Sequence, residues 1–136
     1  RKKGLNEKLI LRIDNACKEH GACKLLVAKD AKGNNHAAVY LVYDEKVCYY
    51  LFGGADPQFR NSGAQSLLIW EAIKFASTVS SVFDFEGSNV EAIERFFRSF
   101  GSQFVVNYTI KRLNLFLSVA DMFSLVVKKF IFRQHI

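Results

Sequence analysis

Apolar residues recur every fourth position at Leu5, Leu9, Ile13 and Cys17, with Glu7, Lys8, Arg12 and Lys18 between them. That is the period of one helix face, and Gly21 follows as a stop, so an amphipathic helix is predicted over residues 5–20. Three short apolar runs come next. Lys24 to Asp30 reads as a strand closed by the turn Lys32-Gly33-Asn34-Asn35, His36 to Asp44 as a second, and Val47 to Phe52 as a third. The turn residues between them predict an antiparallel meander.

Ala64 to Thr78 is apolar around most of a helical circumference, which requires cover on more than one face. Ser81 to Glu86 is a short aromatic strand ended by Gly87. Ser88-Asn89-Val90-Glu91 has the form of a capping box, in which a side-chain oxygen and a returning Glu satisfy free helix N–H groups. The helix it opens carries Ile93, Phe96, Phe97 and Phe100 on one face, and Glu91–Arg95 and Glu94–Arg98 as i, i+4 pairs outside. Gln103 to Lys111 reads as a last strand, and Leu113 to Phe132 as a long helix with an unusually broad apolar surface. The order predicts an α/β layered domain, a mixed and mainly antiparallel sheet flanked by helices. Its sheet-and-helix core spans residues 23–111, and the broad helix 113–132 is expected to pack on the sheet, on a missing domain or on a second copy.

Composition narrows this little. The chain has 136 residues, half of them apolar, which suits one globular domain and excludes a disordered segment. A net charge of +6 is compatible with anionic partners, and equally with plain solubility. Cys17, Cys23 and Cys48 form no C-x-x-C pair and His20, His36 and His135 are scattered, so no metal site is expected. Unpaired thiols without a signal peptide point to a cytoplasmic protein. The apolar run from Leu115 to Val127 contains Asp121 and is too short for a membrane span. The chain starts Arg-Lys-Lys-Gly without Met, the start expected of a fragment.

The candidate chemistry lies between Tyr49 and Leu68. An apolar strand runs into Gly53-Gly54, a turn follows, and Arg60-Asn61-Ser62-Gly63-Ala64 opens the long apolar helix. Free N–H groups and the positive dipole end of a first helical turn favour an anion, and Arg60 adds a cation beside them. Phe52, Gly53, Gly54, Arg60, Asn61, Ser62, Gly63 and Ala64 are therefore the candidate ligand contacts on this side. Gly53-Gly54 could equally serve only to end the strand.

Meander, loop-helix, central strand and second helix together resemble the acyl-CoA N-acyltransferase (GNAT) fold. Arg60-Asn61-Ser62-Gly63-Ala64-Gln65 is similar to that family's Arg/Gln-x-x-Gly-x-Gly/Ala turn in its first and fourth positions, with Gln65 departing at the sixth. Phe83-Asp84-Phe85-Glu86-Gly87 followed by Ile93 to Gly101 resembles the C-terminal half of FemAB-related acyltransferases, whose R-F-K lysine is replaced here by Phe97. The resemblance implies acetyl-CoA or another acyl-CoA as donor, no metal, and a small-molecule or peptidoglycan-precursor amine as acceptor. The FemAB-like branch would instead imply an aminoacyl-tRNA donor and a preceding N-terminal domain, and a degenerate half would imply a non-catalytic partner, dimeric through the C-terminal helix. Amide transfer needs a base, donors for the carbonyl oxygen and an acid for the leaving group. Glu86 is the expected base, with Asp84 two residues earlier on the same strand face, and Tyr108 the expected acid; Phe52 to Gly54 amides would polarise the carbonyl. The competing roles are capping or ion pairing for the carboxylates and packing for Tyr108. Asn89 is a further cofactor contact, with helix capping as its alternative role.

Overall fold

The computed structural model describes residues 6–87, 90–106 and 130–135. They fall into two compact units, one of the residues up to Phe83 together with His135 and one running from Asp84 to Gln134.

The first unit opens with helix α1, Glu7–Glu19, capped by the Asn6 side chain accepting the Lys8 N–H. The apolar face predicted for it is rotated by about one residue. Leu9 is exposed, and Ile10, Ile13, Asp14 and Cys17 form the half-buried stripe. Strands β1 (Cys23–Lys29), β2 (Asn35–Tyr43) and β3 (Val47–Ala55) follow as an antiparallel meander. The β1–β2 turn is held by Asp30, whose carboxylate accepts from the Asn34 side-chain amide and from the N–H groups of Asn34 and Lys32; these bonds, the Asn34 side chain's foremost, depress its pKa to about 2. After a 3-10 turn at Pro57–Ser62 comes helix α2, Ala64–Val79, and strand β4, Val82–Asp84, lies beside β3.

Alternation along β2 sorts the faces of this sheet. Ala37, Val39 and Leu41 point into the core with Leu68, Ile69, Ala72, Ile73 and Ala76 of α2, all buried. Tyr43 on the same face meets Phe75 edge-on. Tyr40 points the other way, to α1, where its hydroxyl donates to Asp14 Oδ1 at 2.9 Å. The apolar circumference of α2 is less covered than the sequence suggests, because Leu67 and Trp70 are more than half exposed.

β3 runs on through Gly53 and Gly54 to Ala55, beyond the Phe52 end that the sequence predicts. Pairing explains it: Gly53 stands opposite Val39 and Gly54 opposite Ala38, so the ladder carries the glycines. The register slips between Tyr40 and Leu41, which leaves Leu51 as an extra residue, a β-bulge between Tyr50 and Phe52. One inserted residue inverts the alternation. Phe52 turns to the Tyr40 face, their rings 6.3 Å apart, and Gly53 joins the face of Tyr50.

In the second unit helix α3 spans Glu91–Arg98. Its N-cap is Val90, without a side-chain bond, so Glu91 is the first helical residue and cannot serve as the fourth member of the predicted capping box. Ser88 and Asn89 lie outside the described residues. Both predicted surface pairs form, Arg95 with Glu91 at 2.5 Å and Arg98 with Glu94 at 2.6 Å. Phe97 is buried against Phe85, centroids 4.7 Å apart, and Phe96 meets Phe100 edge-on. The position that a lysine holds in the FemAB pattern is thus a core position here.

β5, Gln103–Val106, pairs antiparallel with β6, Phe130–His135, Val106 standing opposite Phe130. Phe130 to Phe132 therefore close a sheet rather than the predicted helix 113–132. The physical reason is in the run Phe-Ile-Phe, aromatic and β-branched residues that favour a pleated strand. The remainder of that predicted helix, Leu113 to Lys129, and the strand residues 107–111 with Tyr108, lie outside the described residues.

Candidate functional site

The site begins with how the chain passes from β3 to α2. Asp56 ends the strand and caps the 3-10 turn, its side chain accepting the Gln58 N–H at 2.8 Å. Phe59 inside the turn stacks on His36 at the start of β2, ring centroids 4.0 Å apart and nearly parallel. His36 is in turn 3.3 Å from the Asp30 carboxylate. This stack fixes the turn to the sheet, so that Arg60, the next residue, leaves a held backbone with its side chain exposed and no ion pair among the described residues.

Gly63 then adopts a left-handed conformation, φ 74°, which a β-carbon would oppose, and is the N-cap of α2 without a side chain to offer. Ser62 Oγ takes the Ala64 N–H at 3.3 Å. The first turn of α2 thus keeps donors directed outward at its positive end, with Arg60, Asn61 and Ser62 exposed before it. Ala64 is buried and packs the helix on the sheet rather than lining the mouth.

Tyr50 and Gln65, not singled out by the sequence reading, tie strand to helix. Gln65 Nε2 donates to the Tyr50 hydroxyl at 3.0 Å, and the Tyr50 ring lies across Gly53 so closely that a β-carbon there would overlap it. Burial pushes the Tyr50 phenol up to about 12, against a smaller lowering by the Gln65 bond, so it remains a neutral hydroxyl at physiological pH. Gln65 Oε1 is buried without a partner among the described residues. The available signal was Gln65 itself, the polar residue where the resembled turn has Gly or Ala.

The backbone beside the bulge presents Gly53 and Gly54, both exposed, at the end of the strand that leads to this mouth. An extended thiol ester with a diphosphate at its far end could lie along such a path, its phosphates at the α2 N-terminus and Arg60, its carbonyl at the glycine edge.

The carboxylates belong to the second unit. Asp84 is buried, and its Oδ1 accepts the Glu86 N–H at 2.9 Å. Glu86 is half-buried and has φ 59°, beyond the end of β4. The two side chains therefore do not share a strand face by alternation, because the backbone turns left-handed at Glu86 before Gly87. Asp84 acts on this turn directly, as the acceptor that holds it. Cys48 lies fully buried under α2, its thiol pushed up to about 12 by burial. Among the described residues no group of three His, Cys, Asp or Glu side chains is placed to hold a metal ion, and no helix is long and apolar enough to cross a membrane.

Comparison with known proteins follows the same lines. Solved structures similar to this chain include a GNAT family acetyltransferase from Elizabethkingia anophelis with acetyl-CoA bound, at 12% identity and TM-score 0.63, covering 96% of this chain and 84% of that one. An acetyltransferase from Bacillus cereus aligns at 14% identity and TM-score 0.57, covering 100% and 97%. Spermidine N-acetyltransferase from Vibrio cholerae, in complex with CoA and spermine, aligns at 14% and 0.55, covering 100% and 78%. At these identities the likeness is one of fold. No curated protein sequence matches at a significant level. The model of the acetyltransferase (GNAT) domain matches residues 4–98, well over half of the sequence, and the chain belongs to that family.

Proposed function

We propose that this domain transfers an acyl group from acyl-CoA to the amino group of a small molecule. The observation that carries the reading is the exposed Gly53-Gly54 at the bulged end of β3 and the exposed Arg60 to Gly63 before α2, with Arg60 making no ion pair among the described residues. Acyl-CoA supplies an activated carbonyl and a thiolate leaving group. Arg60, Asn61, Ser62, Gly63 and Ala64 would hold its diphosphate through one guanidinium and backbone N–H groups. The amides at Phe52 to Gly54 would stabilise charge on the carbonyl oxygen. The amine needs its proton removed before attack, and Glu86, half-buried and oriented by Asp84, is our choice of base. Tyr108 is assigned the return of a proton to the departing sulfur, and Asn89 a contact to the cofactor.

A second reading, a FemAB-like transferase half charged by aminoacyl-tRNA, draws on the net charge of +6. The buried Phe97 in place of the pattern's lysine counts against it. Steep salt dependence of tRNA binding would mark it out. A non-catalytic half, paired with an N-terminal domain or with its own copy, would bind neither donor.

The test is thermal melting with millimolar acetyl-CoA and CoA, on the wild type and on Arg60→Ala. A ligand at about 100 times its Kd adds roughly 2.7 kcal/mol of stability, a rise of several degrees. A rise that shrinks in Arg60→Ala is expected. No rise in a folded wild-type protein would remove acyl-CoA as the donor.

A further inference from the structure

The 3-10 turn that carries Arg60 is kinked one residue before it. Within Pro57–Ser62 the backbone leaves helical geometry at Phe59, with φ −111° and ψ 15°. The direction in which the chain enters Arg60 is therefore set at Phe59. Asp56 holds the turn up to that point, its side chain accepting the Gln58 N–H and its carbonyl the Phe59 N–H at 3.0 Å. The Phe59 side chain is held by a different element. Its half-buried ring lies on His36 of β2, centroids 4.0 Å apart and planes within 8°.

His36 is itself anchored twice. Its carbonyl accepts the Asp56 N–H at 2.9 Å, and its Nε2 lies 3.3 Å from Asp30 Oδ2. Asp30 is a firm support. Its Oδ1 takes the Lys32 N–H at 2.8 Å and the Asn34 N–H at 2.9 Å, and its Oδ2 the Asn34 side-chain amide at 2.8 Å. These bonds keep the carboxyl ionised, and an ionised carboxylate only accepts, so His36 Nε2 carries the hydrogen. A hydrogen bond made by one ring nitrogen fixes how the imidazole faces its neighbours. Asp30, His36 and Phe59 thus form a chain of contacts from the β1–β2 turn to the residue before Arg60.

We propose that Asp30 and His36 are positioning residues for the acyl-CoA diphosphate, acting through the Phe59 ring on the direction of Arg60. The proposal rests on the acyl-transfer reading above, with Arg60 as a phosphate contact. It gives the β1–β2 turn, distant from Arg60 in sequence, a part in ligand binding without any contact to the ligand. The physical gain is entropic. A guanidinium carried on a clamped backbone gives up less freedom on meeting a phosphate than one carried on a loose turn.

The experiment is isothermal titration of the whole chain with acetyl-CoA and with CoA, with backbone amide relaxation measured on the ligand-free protein. The variants are Arg60→Ala, Phe59→Leu, Phe59→Tyr, His36→Ala, Asp30→Asn and the double variant Phe59→Leu with Arg60→Ala. Arg60→Ala should weaken acetyl-CoA about tenfold or more, the loss of a charged hydrogen bond. Phe59→Leu removes the ring at similar bulk and should weaken it about fivefold, and His36→Ala, which breaks the same stack, by a similar factor. Asp30→Asn should fall between His36→Ala and the wild type. Phe59→Tyr keeps the ring and should bind as the wild type does. In the double variant the loss should equal that of Arg60→Ala alone, because a ring that acts through Arg60 has nothing left to position. Without ligand, the Arg60 to Ser62 amides should gain fast motion in Phe59→Leu and His36→Ala, and not in Phe59→Tyr.

Additive losses in the double variant overturn the proposal, since the rings would then touch the ligand or support the fold at large. Wild-type affinity in Phe59→Leu, with Arg60→Ala weakened, also overturns it and leaves acyl-CoA binding at Arg60 standing. Wild-type affinity in His36→Ala or in Asp30→Asn removes that residue from the assignment. If Phe59→Leu does not fold, His36→Ala and its own double variant with Arg60→Ala carry the same comparison. No binding of acetyl-CoA or CoA by the folded wild type removes the acyl-CoA reading, and the positioning role falls with it.

Discussion

On one face of the first unit's sheet, α2 buries Leu68, Ile69, Ala72, Ile73 and Ala76 against Val39 and Leu41. On the other, α1 lies along β1 and β2 without fully burying any of its own residues, and leaves a cavity beneath it. α1 is amphipathic by sequence whereas α2 is apolar around most of its circumference, and that is one part of the contrast. The residue opposite is the other. Val39 and Leu41 offer branched hydrocarbon that interdigitates with α2, whereas Tyr40 offers a ring with a hydroxyl that must find a polar partner. Asp14 is that partner, and a helix held by a polar pair cannot also close down as an oil-filled seam. The α2 face holds the buried core, and the α1 face is left partly open.

The largest test of this contrast is Ile69→Ala, which removes a fully buried side chain and should cost about 2–5 kcal/mol in chemical denaturation. Gly53→Ala comes next. The new methyl would displace the Tyr50 ring from its place and break its bond to Gln65, at a cost of about 1–3 kcal/mol, with loss of acetyl-CoA response through the disturbed strand edge. Tyr50→Phe isolates the hydrogen bond alone and should cost about 0.5–1.5 kcal/mol, with acetyl-CoA binding changed less than by Gly53→Ala.

Acid separates a smaller effect. Asp30 has its pKa lowered to about 2 in the folded chain, below the ordinary value near 3.8, so its stabilising contribution is complete above about pH 4 and is lost as pH falls towards 2. The urea midpoint of the wild type should drop more steeply between pH 4 and pH 2.5 than that of Asp30→Asn. Smallest of all is Leu11→Ala on the open face, 52% exposed, which should stay within about 0.5 kcal/mol. A cost near that of Ile69→Ala would mean that the two faces are equally closed.

The sequence carried the meander, α1, α2 and α3 because each depends on local periodicity and on turn residues such as Gly21, Gly33 and Gly101, all at positive φ. The turn that opens α2 at Gly63 is legible for the same reason, since a glycine before an apolar helix is a local pattern. The features missed are set by pairing. Gly53 and Gly54 look like a strand end until Val39 and Ala38 are known to stand opposite, and the bulge at Leu51 has no local mark. Alternation placed Asp84 and Glu86 on one face, but it applies only while the backbone stays extended, and Glu86 does not. Gln65 reads as a departure from a motif, and Asp14 carries no local mark. Each has its meaning in a tyrosine far along the chain, Tyr50 and Tyr40.

Among the described residues β1 stands at the rim of the first unit's sheet, where one copy of a chain can pair with another. Leu25 and Val27 are 59% and 40% exposed, on a strand whose outer backbone groups offer hydrogen bonds to any extended peptide. Lys24 and Lys29 bracket that run. Two like charges at either end of a sticky strand penalise stacking of one copy upon another, because each added copy brings lysines beside lysines. Solubility of this domain should therefore depend on ionic strength and on these two lysines more than on its net charge. High salt, which screens them, is the condition in which it will first come out of solution.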